Sequence, residues 1–99
     1  MIRFEWDPAK ARANQRKHGV SFEDAMHVFD DPFALFEQDR VDESGEQRWH
    51  ALGLAGDVAV MLVAHTLREE DAVIRLISAR RATRKERNRY EQTRAQDAD

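Results

Sequence analysis

The run Val58-Ala-Val-Met-Leu-Val-Ala-His65 constrains the fold of this 99-residue chain more than any other stretch. It is apolar at odd and even positions alike, the pattern of a strand buried on both faces at the centre of a sheet. The apolar run ends at Ala64, so it is far too short to span a bilayer, and no membrane association is expected. Gly56-Asp57 before it marks a tight turn, which predicts a strand over Gln47 to Leu54. After it, Thr66 to Asp71 reads as a polar connection containing Arg68, and Val73 to Ala79 as a returning strand. Within that last strand Leu76 and Ile77 alternate imperfectly, which predicts burial on both sides at its middle.

The other elements follow from shorter signals. Ile2, Phe4 and Trp6 alternate with Arg3 and Glu5, the period of a half-buried strand. Asp7-Pro8 opens a polar helix that His18-Gly19 closes: Asp caps the first turn, Pro fits the first helical position, and Gly takes the left-handed terminal one. Ser21 caps a second helix whose Phe22, Ala25, Met26 and Phe29 form an apolar stripe, and Asp31-Pro32 stops it. Phe33 to Glu37 reads as a strand and Gln38 to Glu46 as a charged loop. Thr83-Arg84-Lys85-Glu86 is a complete capping box, opening a last helix that runs to about Thr93. The expected fold is α+β: an antiparallel sheet of four to five strands, two N-terminal helices and one C-terminal helix, with the helices on one face. One domain is expected over residues 1–94, with a short polar, frayed tail at 95–99.

Composition removes several classes of function. With no cysteine, disulfides and thiolate metal sites are excluded. The four histidines, His18, His27, His50 and His65, show no metal-binding spacing, and the scattered glycines form no phosphate loop, so neither metal nor cofactor is expected. No secretory leader is seen, and a cytoplasmic location is expected. The net charge of −3 conceals a segregation of signs. Residues 1–74 hold fifteen acidic and eight basic side chains, whereas Arg75 to Arg94 holds eight basic and two acidic ones. A helix N-terminus with several guanidinium groups suits a phosphate. On charge alone, a solvated helix laced with ion pairs (Glu86 with Arg89 or Tyr90, Arg87 with Glu91) is the plainer reading.

Four blocks of sequence alter that balance. They are Phe4-Glu5-Trp6-Asp7-Pro8 with Lys10; Asn14 and Lys17-His18-Gly19-Val20-Ser21-Phe22-Glu23 through Asp31-Pro32; Gly45-Glu46 with Arg48 and Gly53; and Thr66 with Arg68, then Ile74-Arg75, Ile77-Ser78-Ala79-Arg80, Ala82, Glu86-Arg87 and Tyr90. In this order they resemble the BrnT family of bacterial toxins. The resemblance implies a RelE-like fold and a metal-independent endoribonuclease that inhibits translation. It also implies a BrnA-type antitoxin partner, in a two-plus-two complex through an antitoxin dimer, that reaches operator DNA only as the complex. Under it, Arg80 and Arg48 are the candidates for the scissile phosphate, and Glu46 or His18 for the base. Arg75, Arg81, Arg68, Arg84, Arg87 and Tyr90 are the candidates for binding RNA. The alternative is a non-catalytic module whose basic strand–helix segment docks an acidic protein or nucleic acid.

Overall fold

The computed structural model describes residues 2–97. Its elements are β1 (Arg3–Glu5), α1 (Pro8–His18), α2 (Phe22–Ala25) running on as a 3-10 turn (Met26–Asp30), β2 (Leu35–Val41), β3 (Gln47–Ala55), β4 (Ala59–Arg68), β5 (Val73–Arg81) and α3 (Arg84–Asp97). The strands form one sheet in the order β1-β5-β4-β3-β2, so the doubly apolar β4 is central, as its composition requires.

Several expectations need adjustment. The sheet is mixed, because β1 pairs parallel with β5 while the other pairs are antiparallel. The charged stretch after Glu37 is strand up to Val41; β2 is an edge strand with mostly exposed side chains, so it carries no apolar alternation to read. The last helix continues to Asp97, so residues 95–97 of the expected tail are helical and 98–99 lie outside the described residues. The imperfect alternation in β5 is a β-bulge: Ala64 pairs with Ser78 but His65 with Leu76, leaving Ile77 as the extra residue.

The helices are not all on one face. Phe22, Ala25 and Val28 pack with Ala51, Ala55, Met61, Val63, Ile74, Leu76 and Ala79 in the main core. Trp6 meets Phe22 edge-on at 5.8 Å. A smaller cluster on the opposite face joins Tyr90 of α3 to Leu52 and Ala82. Alternation along β3 sorts the two, with Ala51 and Ala55 on the main-core side and Leu52 and Leu54 on the other.

Local chemistry holds each helix in place. Asp7 accepts from the Ala9 N–H (2.9 Å), Ser21 from that of Asp24 (3.0 Å), and Gly19 closes α1 at φ 72°. Asn14 does a longer-range job. Its side chain donates to the Ala79 carbonyl (2.8 Å) and accepts from the Ala79 N–H (3.1 Å). Because β1 covers β5 only from Val73 to Arg75, Asn14 satisfies backbone groups that no strand reaches. Asp31 pins α3 to the sheet: it accepts from the Phe33 N–H (2.9 Å), the Leu54 N–H (2.8 Å) and the Tyr90 hydroxyl (2.5 Å). Gly53 lies beneath this knot. A Cβ there would come within 3.0 Å of Val28 and 3.2 Å of the Asp31 carboxylate.

Candidate active site

The face of the sheet that α3 only partly covers is built in rows. Strand pairing aligns Glu5, Arg75, Thr66 and Arg48 directly across β1, β5, β4 and β3. In the next row, two residues along β3 and β4 but three along β5, Ser78, Ala64, His50 and Glu37 are aligned across β5, β4, β3 and β2. The next row is Arg80, Leu62, Leu52 and Leu35, and α3 lies over part of it. Rows two residues apart are separated by about 7 Å, and neighbouring strands by about 4.8 Å. The small Ala64 gives the middle row a low floor, with arginines on the rows to either side.

The bulge at Ile77 makes this arrangement possible. Arg75 and Arg80 are five residues apart, an odd separation that would put them on opposite faces of a regular strand. One extra residue brings both to the open face. Arg81, in register with the core residue Met61, then leaves the sheet on the other side.

Each arginine has its own electrostatic setting. Arg80 donates both terminal nitrogens to Glu86, at 2.8 and 3.1 Å. Glu86 is also the reciprocal partner of the capping box, accepting from the Thr83 N–H at 2.8 Å while its own N–H donates to the Thr83 hydroxyl at 3.2 Å. The hydrogen bond from Arg80 chiefly holds the Glu86 carboxyl down at about 2, against the opposing effect of burial. The same bond raises Arg80 above its ordinary value. Arg75 contacts Glu5 at 3.3 Å, and Arg68 bridges Glu5 (3.5 Å) and Glu46 (3.3 Å). Arg48 differs: its Nε is buried and, among the described residues, has no hydrogen-bond partner. The same is true of the Thr66 hydroxyl, its neighbour in the row, on a residue only 1% exposed. Two adjacent buried polar groups without partners mark a place where an oxygen-rich ligand or ordered water belongs.

The family model described as "Ribonuclease toxin, BrnT, of type II toxin-antitoxin system" matches residues 6–86. The chain belongs to the BrnT family. This is a family of ribonuclease toxins from toxin–antitoxin systems, so an antitoxin partner goes with membership. The crystal structure of the Brucella abortus ribonuclease toxin BrnT is similar in fold, with a TM-score of 0.67 at 22% identity over 85% of this chain and 100% of that one. No curated protein matches the chain. Among the described residues, no helix is long and apolar enough to cross a membrane.

The residues singled out from sequence divide in space within this BrnT fold. Arg48, Arg75 and Arg80 share the open face. Glu46 and Arg68 lie beside its first row, tied to one another. His18 ends α1 and shares a shallow hollow with Asn14, Lys17 and Ser78 rather than with the arginines. Arg84 and Arg87 are exposed on α3, where Arg87 donates to the Ala82 carbonyl at 3.3 Å. Glu86 pairs with Arg80 rather than with Arg89 or Tyr90, and Arg89 pairs instead with Glu37 at 2.8 Å. Tyr90 is 1% exposed. Burial and its bond to Asp31 push the phenol up to about 12, so it is a neutral anchor with no ring face open to a nucleotide. Burial also pushes the Asp31 carboxyl up, but hydrogen bonds from Tyr90, Leu54 and Phe33 and the charge of Arg94 bring it below its usual range.

His50 was not among the residues singled out for catalysis or binding. It shares a groove of about 520 Å³ with Arg80, Glu37, Lys85 and Arg89. The signal was present: Arg48 and His50 are two apart in a strand, hence on one face.

Proposed function

We propose that this chain is a metal-independent endoribonuclease that cuts RNA on the open face of the sheet and thereby inhibits translation. The observation that carries this reading is the unpaired Arg48 Nε beside the unpaired Thr66 hydroxyl, flanked by Arg75. Above this buried pair, the terminal guanidinium nitrogens of Arg48 and Arg75 would meet the non-bridging oxygens of one phosphate. Arg80, across the low middle row, faces the same phosphate or the next one. Its Glu86 partner fixes its direction, and Lys85 and Arg89 add positive charge to the rim.

Cleavage by attack of the 2′-OH on the adjacent phosphorus develops negative charge on the phosphate oxygens. Fixed donors aimed there stabilise the transition state more than the ground state. Holding two successive nucleotides against a rigid sheet also aligns the attacking and leaving oxygens. The partner is proposed to be a BrnA-type antitoxin, assembled two-plus-two through an antitoxin dimer that carries the complex to operator DNA. The toxin is proposed to act in the cytoplasm, where its RNA is.

The test is incubation of the purified protein with RNA in EDTA, with end analysis of the fragments. The reading expects 2′,3′-cyclic phosphate and 5′-hydroxyl ends without added metal. Folded protein that leaves RNA intact, or that cuts only when a divalent cation is supplied, contradicts it.

A further inference from the structure

Arginine can grip a phosphate, but it cannot move the protons that this reaction requires, because a guanidinium stays charged. The carboxylates nearest the arginines are already engaged: Glu5 and Glu46 by Arg68 and Arg75, Glu86 by Arg80, and Glu37 by Arg89. Three of the four histidines lie elsewhere. His18 ends α1. His27 follows α2 and contacts Asp30 at 3.6 Å. His65 is 2% exposed behind the sheet, edge-on to Phe29 at 4.9 Å, with Nδ1 3.1 Å from the Val63 carbonyl. Burial keeps that imidazole neutral.

His50 stands on the arginine face, in the row between those of Arg48 and Arg80. Its Nε2 is 3.4 Å from an Asp39 carboxylate oxygen, with the two side chains 33% and 32% exposed. The Asp39 carboxylate is thus the charged group in contact with the ring. We infer that His50 is the general acid that protonates the departing 5′-oxygen, and that Asp39 is the positioning residue that holds its ring. The inference rests on the ribonuclease reading above and gives it a residue for the proton. The 2′-oxygen forms its bond to phosphorus and its proton passes to water. The P–O5′ bond breaks with its electron pair on O5′, which takes the proton from His50. Water then returns a proton to the imidazole, and Asp39 supplies the counter-charge for the imidazolium.

The test uses two substrates: ordinary RNA, and the same RNA with a 5′-bridging sulfur at the cleavage site, whose thiolate leaves without a proton. His50→Gln is expected to slow cleavage of ordinary RNA by about 10²–10⁴-fold, the usual worth of a positioned acid. It is expected to cut the sulfur-bridged RNA at close to the wild-type rate. Asp39→Asn is expected to show the same rescue with a smaller initial loss, and it supplies the readout if the His50 variant does not fold by circular dichroism. A folded His50 variant that cuts ordinary RNA normally overturns the inference, as does one that is equally slow on both substrates. If the wild-type protein cuts neither substrate, the ribonuclease reading itself falls, which is a different result from either of those.

Discussion

The two faces of the sheet answer different demands. On the α1/α2 side, Phe22, Ala25, Val28, Met61, Val63 and Ala79 have no exposed surface, and even a histidine there is held neutral by burial. On the other side α3 covers one row through Tyr90, and the remaining rows carry arginines, a histidine, a serine and a threonine, with Thr66 buried beneath its longer neighbours. A strand exposes alternate residues to each face, so one sequence of β3, Arg-Trp-His-Ala-Leu-Gly, writes both surfaces at once. Stability is concentrated behind the sheet, and the open face is left free to keep polar groups unpaired.

Substitutions on the two sides therefore separate stability from activity. The largest stability loss is expected from Phe22→Ala, which empties a fully buried site and costs about 3–5 kcal/mol in urea unfolding. Tyr90→Phe on the half-covered side removes a hydrogen bond to a carboxylate and is expected to cost about 1.5–3 kcal/mol, with cleavage by the folded fraction retained. If Tyr90→Phe instead abolishes cleavage in fully folded protein, the phenol has a role at the site and the division between the faces is wrong.

A smaller effect comes from acid. The folded Glu86 carboxyl titrates at about 2, below its ordinary 4.5. Its contribution is thus fully present above about pH 4.5 and is lost as pH falls toward 2. The stability difference between wild type and Glu86→Gln should shrink across that window. A difference that stays constant through it contradicts the assignment of the shift to the Arg80 pair.

Local chemistry was the legible part. The Thr83–Glu86 capping box, the Asp7 and Ser21 caps and the Phe22 stripe are all written within a few residues of one another, and the structure has each of them. The mixed sheet was not legible, because β1 pairs with β5 across 70 residues and nothing near Phe4 records a parallel partner. The Gln38–Val41 stretch gives no strand signal in sequence, because an exposed edge strand has no buried face. The site fell between these cases. Arg48, Arg75 and Arg80 stood out by residue type, but their common face depends on a bulge that looked like irregular alternation. Helical spacing places Tyr90 beside Arg87 but says nothing of the Asp31 carboxylate 59 residues away that holds its hydroxyl.

Arg48 and Arg81 provide the most direct test of the central claim, that RNA is cut on the open face. Both are arginines on strands of the sheet, but they leave it on opposite faces, Arg48 in register with Thr66 and Arg81 with Met61. With RNA in EDTA and folding matched by circular dichroism, Arg48→Ala should cut about 10²-fold more slowly than wild type, as expected for loss of a preorganised donor to the phosphate. Arg81→Ala should cut nearly as fast as wild type. Equal losses in the two variants, or a larger loss from Arg81→Ala, would contradict the account.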